Sequence, residues 1–386
     1  MERQFAQEEA TDCLLGQESD IRGYLAKAAT ARIPLAVSFE ITRRCNFRCG
    51  HCYLGDQYAV REHKAQELDT RTVVTLIDEM VEAGTLFLTM TGGDPMLRPD
   101  FLDIYRHAVR SGLLVTVFCN GSLITDEIVS TLVAYPPRAV EITLYGARQA
   151  TFETVTQQPG SFAACMRGVE KLRQAKVRLR LKTMALTVNR DEVPQLWQLA
   201  EEMWVPFRHD CSVTPALPNG DNGGRSNVGD GLKDTLRFRL APEQAADADL
   251  SIAKVREKLQ ERIDNVASAE SSTKLYHCGA GRSSCHITPY GVMQPCLITL
   301  QSAVDLQKNG QTFQTAWNSI SRTFPDQEAR EGFPCNDCGD RNSCTGCPSK
   351  FAIETGDKQI LATYYCQYAV ERKEKMILEN ADEGTG

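Results

Sequence analysis

The chain has 386 residues, 42% of them apolar and 24% charged, with a formal net charge of −7. That length exceeds one ordinary core and suits two domains, and the acidic balance leaves no footprint for nucleic-acid phosphates. The polar start MERQFAQEEATDC and apolar runs no longer than strands, such as Leu113–Phe118, exclude a secretory leader and a membrane helix of ~18 residues, so a cytoplasmic location is expected.

Residues 1–33 read as a polar, helix-tending lead-in. An alternating pattern then begins. Strand-like runs at Leu35–Ile41, Leu86–Met90, Leu114–Cys119, Val140–Leu144, Val177–Met184 and Phe207–Val213 are separated by segments with helical apolar spacing. Those segments are Thr72–Ala83, Phe101–Ser111, Asp126–Ala134, Phe162–Gln174 and Pro194–Trp204, with start signals at Asp69 or Thr70 and at Thr125. Six strands alternating with helices predict a parallel α/β sheet curled into a partial (β/α)6 TIM-like barrel, with its chemistry at the C-terminal ends of the strands. The basic run Arg178–Lys182 is expected to be a strand with an outward charged face. Pro215–Gly231 carries five glycines and reads as a long loop. A polar helix is expected at Ser251–Val266, and short turn-rich segments follow from His277. The resulting division is 1–33 lead-in, 34–250 core, 251–276 helical linker and 277–386 cysteine-rich domain.

Fifteen cysteines in a reducing compartment point to metal or cluster ligation rather than disulfides. Cys45, Cys49 and Cys52 leave the first strand on one short loop. Three thiolates there can hold three irons of a cubane and leave the fourth open to chelate a substrate. A zinc loop is the competing reading, although zinc prefers a second CxxC pair nearby. The second strand ends in Thr91-Gly92-Gly93-Asp94-Pro95, where glycines permit close backbone approach and a carboxylate can accept from an ammonium group.

The CNFRCGHC and TGGDP pair strongly resembles the radical SAM superfamily, over about residues 35–210, with Asp94 where the family usually has Glu. The resemblance implies a [4Fe-4S] cluster on Cys45, Cys49 and Cys52, and S-adenosylmethionine contacts from His51, Gly92, Gly93, Asp94, Pro95, Asn120, Thr143 and Lys182. It further implies an electron from reduced flavodoxin or ferredoxin and a 5′-deoxyadenosyl radical that abstracts hydrogen from a substrate.

Eight of the fifteen cysteines lie between Cys278 and Cys366. Their pattern resembles the SPASM extension of peptide-modifying radical SAM enzymes, which carries up to two auxiliary iron–sulfur clusters. That resemblance implies Cys278, Cys285, Cys296 and Cys347 around one cluster, and Cys335, Cys338, Cys344 and Cys366 around the other. Cys285 is the least settled of these ligands, and two zinc knuckles are the alternative for the whole domain. Cys13, Cys119, Cys165 and Cys211 fall outside both patterns and are expected to be small buried hydrophobes.

The leading expectation is a radical SAM enzyme that oxidatively crosslinks, desaturates or otherwise alters a peptide or protein side chain, with recognition built into the barrel mouth or supplied by a separate peptide-recognition protein. Alternatives are a small-molecule or tetrapyrrole substrate, as in heme-pathway relatives, and a non-catalytic Fe–S electron carrier. The residues name no general acid or base.

Overall fold

The structure is a computed structural model that describes residues 18–55, 64–217, 235–264, 273–341 and 343–383; Cys13 and most of the expected loop at 215–231 lie outside them. Helix α1 (Glu18–Thr30) leads into six parallel strands at the anticipated places: β1 (Ala36–Thr42), β2 (Phe87–Gly92), β3 (Leu114–Cys119), β4 (Ala139–Thr143), β5 (Leu179–Met184) and β6 (Phe207–Asp210). The last is shorter than expected because the Asp210 carboxylate accepts from the Ser212 amide at 2.7 Å and turns the chain. Between the strands run α2 (Thr70–Glu82), α3 (Phe101–Arg110), α4 (Asp126–Ala134), α5 (Gln149–Thr156), α6 (Ser161–Gln174) and α7 (Val193–Glu202). Asp69 caps α2 through the Thr72 amide and Thr125 caps α4 through the Ile128 amide, as their sequence positions suggest. Helix α5 was not anticipated; its eight residues are too few for a periodic signal.

Residues with odd and even numbers divide the strands cleanly. Val37, Phe39, Leu88, Met90, Val115, Val117, Val140, Ile142 and Leu181 are buried in the main core. The opposite face carries Ser38, Glu40, Thr91, Phe118, Glu141, Thr143, Lys182 and Arg208. The registers Phe118↔Glu141, Thr143↔Lys182 and Lys182↔Arg208 set these inner residues in rows. The expectation that Arg178–Lys182 shows its charges outward is therefore corrected. Arg180 and Lys182 turn toward Glu141, at 3.8 and 3.5 Å, and join the inner face.

The sheet continues past the expected domain boundary. After α8 (Pro242–Leu250) and α9 (Ala253–Asp264), β7 (Ser284–Ile287) pairs parallel to β1, and β8 (Val292–Gln294) and β9 (Val304–Asp305) follow antiparallel. The order is β6-β5-β4-β3-β2-β1-β7-β8-β9. Helices α10 (Phe313–Thr323), α11 (Pro348–Thr355) and α12 (Thr363–Glu383) complete the extension. Ile287, Trp317, Phe351 and Tyr365 share one apolar core with Phe39 and Ile77 of the barrel. No helix among the described residues is long and apolar enough to cross a membrane.

Candidate active site and cysteine clusters

The loop after β1 is held from several sides. Glu67 accepts from the Thr42 hydroxyl at 2.5 Å and the Arg43 amide at 3.0 Å, and pairs with the buried Arg44 guanidinium at 2.9 Å. The carbonyls of Thr42 and Arg44 accept the amides of Gly93 and Asp94 at 2.9 and 2.8 Å. A Cβ on Gly92 would press into the Thr42 carbonyl, and one on Gly93 into the Arg43 and Arg44 carbonyls. These glycines therefore allow the two strand ends to touch, and the space so made opens onto the cavity.

Cys45, Cys49 and Cys52 line that cavity, of about 370 Å³, with His51, Gly92, Gly93, Asn120, Thr143 and Lys182. Burial pushes the Cys45 thiol up to about 12, with the nearby Asp94 and Cys52 adding to the rise. Burial and the other two cysteines likewise raise Cys49, and burial carries Cys52 to about 11. Three half-buried thiols that disfavour one another as thiolates fit a bound cation, which would supply the missing positive charge. His51 stacks edge-on against Tyr145 at 4.9 Å, its Nδ1 is buried without a partner, and burial holds it down near about 4. An orphaned ring nitrogen of that kind beside the thiols suits a polar group of a bound ligand.

Asp94 does not line the cavity. Its two oxygens accept from the Met96 amide at 3.0 Å and the Asn120 amide at 2.8 Å, and it is buried beside Pro95. It ties β2 to β3. Asn120 in turn donates to Asn46 at 2.7 Å and to the Cys45 sulfur at 3.8 Å. Sequence reasoning missed Ser38, Phe47, Tyr53, Tyr145 and Arg208, all of which face the same space. For Ser38 and Arg208 the available signal was a polar or charged residue at every second position of otherwise apolar strands; Phe47, Tyr53 and Tyr145 lie beyond the strand ends, where no such pattern exists. Tyr53 donates to Glu40 at 2.9 Å, and burial raises the Glu40 carboxyl to about 7. Burial lowers Lys182 to about 8 although Glu141 opposes the change; its ammonium sits 3.2 Å from the Phe118 ring centre.

The extension gathers two further sets. Beyond burial, Cys278 and Cys347 lie close enough to raise the Cys296 thiol, and Cys278 to raise Cys347; likewise Cys338, Cys344 and Cys366 raise Cys335, and Cys338 raises Cys344 and Cys366. Cys285 joins neither. It sits within β7 opposite Val37, on the core-facing side, and burial alone raises it. Where the sequence places Cys285 around an auxiliary cluster, the structure sets it in a strand in register with β1 and packed into the apolar core. Cys119, Cys165 and Cys211 are buried, as anticipated.

Residues 39–200 match the Radical SAM superfamily. These residues form a radical SAM domain. That family uses S-adenosylmethionine with a [4Fe-4S] cluster. The chain is 26% identical to an AdoMet-dependent heme synthase of Methanosarcina barkeri (strain Fusaro / DSM 804) over 355 residues, covering 89% of this chain and 99% of that one. It is 27% identical to the mycofactocin maturase MftC of Mycobacterium ulcerans (strain Agy99) over 323 residues, covering 81% and 82%. In fold it resembles Streptococcus suis SuiB bound to its precursor peptide SuiA, with a TM-score of 0.64 at 15% identity over 90% of this chain and 80% of that one. It also resembles anSMEcpe with bound AdoMet, with a TM-score of 0.63 at 15% identity over 92% and 100%.

Proposed function

We propose that this enzyme abstracts hydrogen from a peptide or protein side chain and leaves that side chain oxidised. The observation that carries the reading is the size and shape of the barrel cavity. At about 370 Å³ it lies at the low end of the ~300–1,000 Å³ range for drug-sized ligands. The cluster and a nucleoside with an amino-acid tail would occupy the floor of that space, and its open mouth, bordered by Arg208, Asp210 and Leu297, leaves an approach for an inserted side chain. Similarity to MftC and the fold shared with peptide-bound SuiB support it.

Cys45, Cys49 and Cys52 would hold the cluster. Bound there with S-adenosylmethionine and an electron from reduced flavodoxin or ferredoxin, it supplies a 5′-deoxyadenosyl radical. His51 and Tyr145 would wall the adenine. Gly92 and Gly93 offer backbone to the methionine end, while Asp94 and Pro95 fix the turn that presents them. Asn120 orients Cys45, and Thr143 and Lys182 face the nucleoside from the opposite strands. Phe47, Leu54 and Phe118 keep water from the reacting centre. Cys278, Cys296 and Cys347 would hold one auxiliary cluster, open at one iron, and Cys335, Cys338, Cys344 and Cys366 a closed one that moves electrons.

A tetrapyrrole substrate is the second reading, favoured by the likeness to heme synthase along nearly its whole length. Anaerobic turnover of reconstituted enzyme with dithionite, followed by mass spectrometry, separates the two. The peptide reading expects a peptide encoded beside the gene to lose hydrogen as 5′-deoxyadenosine appears. Conversion of a carboxylated tetrapyrrole, with every such peptide untouched, overturns it.

A further inference from the structure

The open barrel leaves β6 at the end of the sheet, with no strand beyond it among the described residues. The carbonyls of Pro206 and Asp210 accept from the Leu181 and Ala185 amides of the β5 side. By the alternation of a parallel ladder, Phe207 and His209 aim their amides and carbonyls the other way. A groove of about 490 Å³ runs along this edge, with every residue from Val205 to Cys211 on one wall and α9 on the other. Helix α9 presents Lys254, Lys258 and Arg262 to it, one turn apart and all exposed. Arg208 and Asp210 border both this groove and the barrel cavity, so β6 alone separates the two spaces.

We propose that the groove docks an acidic, extended segment of the substrate peptide, which adds as a strand to β6 while its carboxylates meet the α9 cations. The inference rests on the peptide reading above and gives its mode of recognition. An unpaired strand edge supplies affinity through main-chain hydrogen bonds whatever the side chains, and a row of like charges opposite selects the sign of the partner. Because Arg208 and Asp210 border both spaces, a strand docked on β6 lies one strand's width from the cavity that its following residues would enter. The nearby buried cluster of His209, Cys211 and Asp249 takes no part. Trp197 donates to His209 Nδ1 at 3.0 Å, so Nε2 keeps its proton for Asp249, also at 3.0 Å, and has no lone pair for a metal.

The test uses full-length reconstituted enzyme and three fluorescent twelve-residue peptides: alternating Glu and Thr, alternating Lys and Thr, and the Glu–Thr sequence with every backbone nitrogen methylated. Fluorescence anisotropy should show that only the first binds, losing about tenfold or more in affinity from low to high salt. Lys258→Glu with Arg262→Glu should weaken it about tenfold or more, and hydrogen exchange should slow at the Phe207 and His209 amides. Equal binding of the methylated peptide, binding unchanged by the charge reversal, or no binding at all overturns the proposal. None of these readings needs turnover. A peptide that docks but is never modified supports the groove and counts against the peptide reading alone.

Discussion

The barrel and the extension both gather cysteines, but they do so by opposite routes. In the barrel, Cys45, Cys49 and Cys52 come from eight consecutive residues on a loop pinned by Glu67, the β2 turn and Asn120. In the extension, the two sets draw on segments as far apart as Cys278 and Cys347, or Cys335 and Cys366, and among the described residues between Asp305 and Cys366 the only regular elements are α10, α11 and the start of α12. The first site is built by backbone hydrogen bonds before any metal arrives. The second has few such elements around its thiols, and any metal bound there would supply part of its fold, as in small metal-bound domains.

The sharpest break in that comparison is the triple replacement Cys45→Ala, Cys49→Ala, Cys52→Ala. It should leave the barrel folded by circular dichroism and reduce 5′-deoxyadenosine formation to background; residual formation at the wild-type rate would remove the basis of the site. Nearly as large is Gly93→Ala. The new Cβ meets two carbonyls of the β1 loop rather than a movable side chain, so the strand ends must part. A loss of more than ~4 kcal/mol in urea unfolding, or outright insolubility, is expected.

Next is Cys335→Ala. If the four thiols near Cys366 hold one cubane, iron per chain should fall from about twelve to about eight, and the extension should become sensitive to protease while the barrel stays resistant. Unchanged iron, or zinc in its place, would return this half to a pair of zinc knuckles.

The order of barrel strands was legible because parallel βαβ units write a strong alternation, and the first site because its ligands are adjacent in sequence. Three features were not legible. The inward turn of Arg180 and Lys182 depends on register with Glu141, which one strand alone cannot reveal. Helix α5 is too short to show a period. The role of Gly92 and Gly93 reads from sequence as room for a ligand, whereas the structure shows it first as room for the neighbouring backbone.

A smaller effect concerns Lys182, whose folded value lies near about 8 because burial opposes its charge. Between pH 8 and 10.5 the unfolded lysine keeps a proton that the folded one has released, so wild-type stability rises with pH there. Below pH 8 both forms are charged and the cost is full and constant. Lys182→Met should therefore be the more stable protein at pH 7, by no more than ~3 kcal/mol, with the gap closing as pH climbs toward 10. Thermal melts at several pH values read this directly, and a gap that widens with pH contradicts it. The same variant should lose activity, since Lys182 lines the barrel cavity beside the three cysteines.

The smallest effect tests the finest distinction between the two regions. Cys285 lies in sequence among the extension's ligands but in space it belongs to the barrel, in register with Val37 and packed into the shared core. Cys285→Ala removes one buried sulfur and should cost about 1 kcal/mol as a small cavity. Iron content and the spectra of all clusters should stay as in the wild type. Loss of about four irons would instead mean that β7 shifts when metal binds, drawing Cys285 across to Cys278, Cys296 and Cys347. Such a shift would have to break the pairing of β1 with β7, the seam along which the extension continues the barrel's sheet.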